Sequence, residues 1–204
     1  NSTIPVGRGL GSSAALSIAI ARAKKLPNVR EIADKCEKFI HGNPSGIDVN
    51  QVLSDTPLLF SKKDGAIPLD FNLDSYLLII DTGVIGITKE TLKHIKQNFE
   101  NYKSYIDELG EITEKVIEPL KKKAIEIVGA YMYKAHDLLQ KLGVSHESND
   151  DVVNICKNNG ALGAKLTGGG AGGCCIALSK TKENAEKIQN ELAKEGYKSW
   201  IVTV

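Results

Sequence analysis

Three stretches of this chain gather residue types suited to handling phosphate. The first is Pro5-Val6-Gly7-Arg8-Gly9-Leu10-Gly11-Ser12-Ser13-Ala14-Ala15, a glycine-rich turn with two hydroxyls that runs into an apolar, helix-like segment, Ala14 to Ala21. Such a turn leaves backbone uncovered by side chains. It also aims the unpaired N–H groups of a helix start, and the positive end of the helix dipole, at one spot that suits a phosphate oxygen. An ordinary tight turn with Ser12 or Ser13 as N-cap is the plainer alternative. The common phosphate loop is absent: no Gly-x-x-x-x-Gly-Lys-Ser/Thr occurs, and the turn holds no lysine.

The second stretch runs from Glu37 to Asp48. His41-Gly42-Asn43-Pro44-Ser45-Gly46-Ile47-Asp48 reads as a fixed turn that ends in a carboxylate. Glu37 lies one helical turn before His41, near a helix C-terminus, where the dipole disfavours an anion and a compensating cation would rationalise it. Mg²⁺ is one candidate, since it takes one or two protein carboxylates and completes its shell with phosphate oxygens and water. Pairing of Glu37 with a lysine and capping by Asp48 are the alternatives. Taken with the glycine turn, the two carboxylates supply what phosphoryl transfer needs: a phosphate cradle, a metal holder and a group that orients or deprotonates the attacking hydroxyl.

The third stretch is Lys165-Leu166-Thr167-Gly168-Gly169-Gly170-Ala171-Gly172-Gly173-Cys174. Gly168, Gly170 and Gly173 satisfy Gly-x-Gly-x-x-Gly, but a dinucleotide site requires a helix straight after the loop. Here Cys174-Cys175-Ile176-Ala177-Leu178 follows, a strand by composition. The dinucleotide reading fails, and a strand pair whose bare backbone can approach a phosphate or another loop replaces it.

The elements around these stretches follow from periodicity. Helices are predicted over about 13–25 and 28–40, the second with Ile32, Cys36 and Phe39/Ile40 at helical spacing. Short strands at 57–60 and 66–69 flank the turn 62–65, and the apolar run 76–80 is a buried strand leading into Asp81-Thr82-Gly83. Residues 88–142 are helical, with one stripe at Leu92, Ile95, Phe99 and Tyr102 and another at Ile112, Val116 and Ile117. A third helix there begins with Pro119 at N1; its Tyr131-Met132-Tyr133 could line a ligand pocket, with helical core or a dimer surface as the plainer reading. Asn149-Asp150-Asp151 caps a helix ending at 158–160, and a β-β-α-β tail closes the chain, its helix at about 183–194 and last strand at 198–204. The division expected is 1–74 and 75–204.

Bulk properties exclude several classes. With 204 residues, 42% hydrophobic and 25% charged, the chain is globular in composition, and a net charge of +1 gives no general pull toward nucleic acid or membrane. No apolar run approaches the ~20 residues a membrane span needs. Cys36, Cys156, Cys174 and Cys175 have no metal-site spacing and read as free thiols of a reducing cytoplasm. His94, His136 and His146 lack ligand partners at useful spacing and read as surface or core residues.

Gly-Leu-Gly-Ser-Ser-Ala-Ala, led in by Pro-x-Gly-x, resembles the ATP-binding loop of the GHMP kinases. Glu-x-x-x-His-Gly-Asn-Pro-Ser-Gly-Ile-Asp, Glu37 to Asp48, is similar to the signature of that superfamily's mevalonate kinase branch, and Lys165 to Cys174 is similar to its third motif, with Ala171 as a variation on glycine. The resemblance implies an α+β GHMP kinase fold, with a ribosomal-S5-like N-terminal half, partial here, and a ferredoxin-like C-terminal half. It implies ATP-dependent phosphorylation of mevalonate to 5-phosphomevalonate in isoprenoid biosynthesis, a branch of lipid metabolism. ATP and mevalonate would be the partners, Mg²⁺ the cofactor, the cytoplasm the compartment and a homodimer one option.

By the same resemblance Asp48 is the catalytic base and Ser13 and Glu37 hold the metal. Gly7, Gly9, Leu10, Gly11, Ser12, Ser13, Ala14, Thr167, Gly168, Gly169 and Gly170 line ATP and its phosphates, and His41, Ser45 and Thr82 face the acceptor. A strand-end turn accounts for Thr82 equally well. The family's first motif, with its lysine, is missing, and the span from Ala15 to Glu37 is short near Lys25-Leu26-Pro27. Both imply a fragment with poor activity or poor folding on its own. The alternatives are a phosphomevalonate or homoserine kinase of the same superfamily and a non-catalytic nucleotide-binding relative. Retention of both Glu37 and Asp48 argues against the last.

Overall fold

Alanine-rich sequence with few β-branched residues makes Ser12–Ala23 a strong helix former, and it is the first helix, α1. The computed structural model describes residues 2–86 and 88–204, the side chains of 88–92 excepted. The chain divides into two compact units: Asn1–Val6 with Leu10–Asp70, and Gly7–Gly9 with Phe71–Val204.

In the first unit α1 is followed by α2 (Val29–His41), α3 (Ile47–Leu53) and an antiparallel hairpin of β1 (Leu58–Ser61) and β2 (Gly65–Pro68). Neither serine caps α1. The N-cap is Gly11, in the left-handed region at φ 63°, with no side-chain cap bond, so both hydroxyls lie inside the first turn. The core is Ala14, Ile18, Ala33 and Val49, with Val29, Val52 and Leu53 against it. The stripe expected on α2 is corrected by this packing. Ala33 and Glu37 are the buried residues of that helix, whereas Phe39 is 92% exposed and Ile40 52%. Small Ala33 sits in the core shared with α1, and the aromatic end of the stripe turns to the other side. The fixed turn after His41 ends at Gly46, and Asp48 is the second residue of α3 rather than its cap.

The second unit is built on a four-stranded antiparallel sheet of order β4-β5-β3-β6, from β3 (Tyr76–Asp81), β4 (Gly163–Thr167), β5 (Cys174–Ser179) and β6 (Lys198–Thr203). Read in chain order, this is the split β-α-β of a ferredoxin-like fold. Among the described residues, five helices lie between β3 and β4: α4 (Thr88–Gln97), α5 (Phe99–Lys115), α6 (Ile117–Lys121), α7 (Ile125–Lys141) and α8 (Glu147–Asn158); α9 (Lys182–Lys194) joins β5 to β6. The main core sets Leu78, Ile80, Leu166, Cys175 and Ala177 of the sheet against Val152 and Cys156 of α8 and Ile188 and Leu192 of α9. Along the other helical stretch, α7 approaches β4 so closely that a Cβ on Gly129 would stand 2.3 Å from the Leu162 carbonyl oxygen.

Two helix starts differ from expectation. Pro119 is the third residue of short α6, and the long helix begins at Ile125 after Lys123 takes φ 56°. The cap of α8 is His146, which forms a reciprocal capping box with Asn149, so Asn149 is inside the helix. Met132 lies in one core cluster, while Tyr131 and Tyr133 pack against two others, which makes this trio helical core. Leu92 falls outside the described side chains. The four cysteines are free, and burial pushes Cys156 and Cys175 up to about 12 and Cys174 to about 11, leaving inert thiols. Among the described residues no helix is long and apolar enough to cross a membrane.

Candidate active site

In the first unit the polar candidates are next to core residues, and that is what places them. Ser13 precedes buried Ala14, Asp48 precedes buried Val49, and Glu37 lies one turn beyond buried Ala33. Packing α1, α2 and α3 on that core therefore brings the three side chains to the N-terminus of α1. A Cβ on Gly11 would stand 3.6 Å from Asp48 Oδ1, so the carboxylate borders the helix start. Ser13 Oγ is 3.3 Å from His41 Nε2, which in turn is 3.6 Å from Glu37 Oε2.

Glu37 is 3% exposed, and its Oε1 is buried with no hydrogen-bond partner among the described residues. A buried carboxylate oxygen without a donor is costly unless a cation meets it. The lysine partner considered from sequence is not the one found; His41 is the cationic candidate beside it. Asp48 is exposed as a whole residue, yet the protein around its carboxyl strips enough water to raise its pKa. The Glu37 charge raises it further, and His41 acts in the opposite sense. The first bond closing α1 runs from Ala15 N to Gly11 O, so the N–H groups of Ser12, Ser13 and Ala14 are the open ones of that turn. Ala14 can contribute only through its N–H, since its side chain is fully buried. Ser45 Oγ accepts from Ile47 N at 3.3 Å and stabilises the start of α3.

In the second unit Gly7–Gly9 lies against the other glycine cluster. A Cβ on Gly168 would stand 2.8 Å from Gly9 Cα, and one on Gly173 would stand 3.1 Å from the Arg8 carbonyl oxygen. Only glycine permits these approaches. The hydroxyl of Thr167, at the end of β4, makes no hydrogen bond with the described residues, and neither do the N–H groups of Gly168, Gly169 and Gly170. The later amides are committed: Ala171 N donates to Val144 O, Gly172 N to Asn149 Oδ1 and Gly173 N to Val84 O. Thr82 is buried, and both its N–H and its hydroxyl donate to Gly173 O, the latter at 2.7 Å. That commitment favours the turn reading of Thr82 over contact with an acceptor.

Sequence reasoning passed over Arg8 and Asp81. Arg8 Nε pairs with Asp81 Oδ1 at 2.9 Å, and its Nη2 donates to Gly83 O at 3.0 Å. Arg8 thus fastens the first glycine turn to the end of β3, and its Nη1 is buried without a partner among the described residues. The one charge inside an otherwise uncharged glycine turn was the available signal.

This chemistry and this fold coincide with one family. Residues 1–54 match the family model for the GHMP kinases N terminal domain, and residues 116–198 match that for GHMP kinases C terminal. Mevalonate kinase of methicillin-resistant Staphylococcus aureus shares 30% identity with the chain, which covers 68% of it at a TM-score of 0.73. The chain belongs to the GHMP kinase family. Mevalonate kinase of Thermococcus sibiricus is 34% identical over 200 residues, 90% of this chain and 60% of that protein. The crystal structure of L. major mevalonate kinase in complex with R-mevalonate superposes with a TM-score of 0.85 at 26% identity, covering 95% of this chain and 65% of that one. The chain thus spans about three-fifths of the length of the Thermococcus sibiricus relative.

Proposed function

We propose that the chain carries the catalytic residues of an ATP- and Mg²⁺-dependent kinase that phosphorylates mevalonate to 5-phosphomevalonate in isoprenoid biosynthesis. The observation that carries the reading is the cluster at the start of α1, where Ser13, His41, Glu37 and Asp48 meet. Mevalonate as acceptor is supported by the names of the relatives and by the R-mevalonate in the L. major structure.

In this reading Asp48 orients the attacking hydroxyl and takes its proton. Its raised pKa makes it a better proton acceptor than an ordinary surface aspartate. Open N–H groups of Ser12, Ser13 and Ala14, with the positive end of α1, hold phosphate oxygens. Gly7, Gly9, Leu10 and Gly11 supply the backbone turn that brings nucleotide to them. Thr167 and the N–H groups of Gly168, Gly169 and Gly170 stabilise charge on the transferring phosphoryl group. His41 and Ser45 flank the acceptor.

Ser13 and Glu37 fit a cation, since Glu37 offers a buried oxygen with no donor among the described residues. No group of three or more His, Cys, Asp or Glu among the described residues is placed to hold a metal. The remaining ligands would therefore come from phosphate and water, the habit of Mg²⁺. When bound, Mg²⁺ neutralises charge on the phosphates. Four free thiols suit a reducing, cytoplasmic location.

ADP release with MgATP and a panel of mevalonate, phosphomevalonate, homoserine and galactose tests this reading, run on this chain and on a version extended at its N-terminus. Turnover with mevalonate is the expected result. Turnover with another acceptor would keep the kinase and remove the substrate, and nucleotide binding without turnover in either version would replace the kinase with a binder.

A further inference from the structure

The later half of the second glycine cluster is gripped by one side chain. Asn149, the third residue of α8, is fully buried. Its Oδ1 accepts from Gly172 N at 3.0 Å and from His146 N at 3.2 Å. Its Nδ2 donates to Gly172 O at 3.0 Å and to Cys175 Sγ at 3.3 Å. A carboxamide has two donors and two acceptor lone pairs, so its capacity is filled. The pairing with Gly172 is reciprocal, N–H and C=O of one residue held by one amide, as a neighbouring strand would hold them.

A backbone of this composition needs such a grip. Gly168, Gly170, Ala171, Gly172 and Gly173 all have positive φ, with Gly172 at 107°, and glycine loses more freedom on ordering than any other residue. The committed amides run from Ala171 to Gly173 and the open ones from Gly168 to Gly170. Whatever fixes Gly172 therefore limits where the open donors point.

We propose that Asn149 is a positioning residue for phosphoryl transfer: by holding Gly172 at both its N–H and its carbonyl, it aims the N–H groups of Gly168, Gly169 and Gly170. This rests on the kinase reading given above. Asn149 touches neither nucleotide nor acceptor in this role and acts through the loop alone.

Three variants of the full chain test it. Asn149→Leu keeps the size and removes all four side-chain bonds. Asn149→Asp keeps both acceptor positions but sets an anion against the Gly172 carbonyl. Ile188→Ala opens a cavity in the core at α9, away from the loop, and serves as a control for lost stability. Amide hydrogen exchange of 168–173, affinity for a fluorescent ATP analogue, and kcat and KM for ATP and mevalonate are measured for each.

Both Asn149 variants should speed exchange at Gly172 and Gly173 by about tenfold or more. They should lower kcat by about 10- to 100-fold, the scale of a small misplacement of reacting groups, while KM for mevalonate stays within about threefold. Ile188→Ala should lower the melting temperature and leave loop exchange and kcat at wild-type values. The proposal is overturned if the Asn149 variants exchange and turn over like Ile188→Ala. It is also overturned if Asn149→Asp, folded and binding the analogue, keeps wild-type kcat. A wild-type protein that neither binds the analogue nor turns over, both as this chain and when extended at its N-terminus, would remove the kinase reading, while loop exchange would still decide whether Asn149 holds Gly172.

Discussion

Gly168→Ala puts a single methyl where the two glycine clusters touch. Its Cβ would stand 2.8 Å from Gly9 Cα and 3.0 Å from Gly9 O, at φ +77°. Ordinary contact begins at 3.4 Å, so the Gly9 backbone must retreat by about 0.6 Å, the difference between 3.4 and 2.8. Both partners are backbone, so no side-chain rotamer can absorb the shift. Holding alanine in the left-handed region adds roughly 1–2 kcal/mol. A displacement approaching 1 Å at reacting groups costs on the order of 100-fold in rate. Gly196→Ala is the matched comparison, with φ +85° and nothing within 4 Å of its Cβ. Urea unfolding and steady-state kinetics on both variants separate the effects. Gly196→Ala should lose roughly 1–2 kcal/mol of stability and Gly168→Ala more than that, and only Gly168→Ala should lose turnover, by about 10- to 100-fold. Equal turnover in the two variants would refute the claim that contact between Gly9 and Gly168 sets the loop geometry.

Two further outcomes follow from side chains near the same loop. Ala171 holds φ +55° without being glycine, so Ala171→Gly should relieve left-handed strain and offset it partly with unfolded-chain entropy. A net gain of up to about 1 kcal/mol is expected, visible as a melting temperature raised by about 2–4 °C, and a lowered one would contradict the strain argument. His136 is buried, accepts from Leu166 N at Nδ1, and has its pKa lowered by burial, with Asp150 acting against the shift. The unfolded chain takes up this proton near pH ~6.5 while the folded chain resists it, so stability is full above that pH. It falls as pH drops toward the lowered folded value, by up to about 1.4 kcal/mol per pH unit. Denaturant titrations from pH 5 to 8 should show this slope in the wild type and a shallower one in His136→Gln; identical slopes would remove His136 from the account.

Much of this was legible because local signals and tertiary packing agree. The apolar run at Tyr76–Ile80 can only be a buried strand, and it is β3, with Leu78 and Ile80 fully buried. The strand after the second glycine cluster follows from Cys174–Leu178, which is also what removes a dinucleotide site. Glu37 and Asp48 stand out together because phosphoryl transfer needs both, but the short helix α3 that carries Asp48 is not expected from the sequence. Less was legible where a cap depends on backbone twist. Serine is a common N-cap in an extended conformation, but the chain enters α1 through a left-handed Gly11, so the serines move one and two places inward. Phe39 and Ile40 share a helical stripe with Ile32, yet the side that packs was chosen by Ala33 and α1. Asn149 looked like a cap because Asn, Asp and Asp adjoin there. Its hydrogen bonds to Gly172, 23 residues away, have no local signature.

The central claim is that Asp48 serves a phosphoryl transfer to mevalonate. A single-turnover reaction with γ-labelled ATP, Mg²⁺ and mevalonate measures it directly, comparing the N-terminally extended protein with its Asp48→Asn variant. The account predicts labelled 5-phosphomevalonate from the wild type. It predicts that Asp48→Asn binds the nucleotide with similar affinity but transfers at least about 100-fold more slowly, the scale of a lost general base. Transfer at the wild-type rate in Asp48→Asn would contradict it.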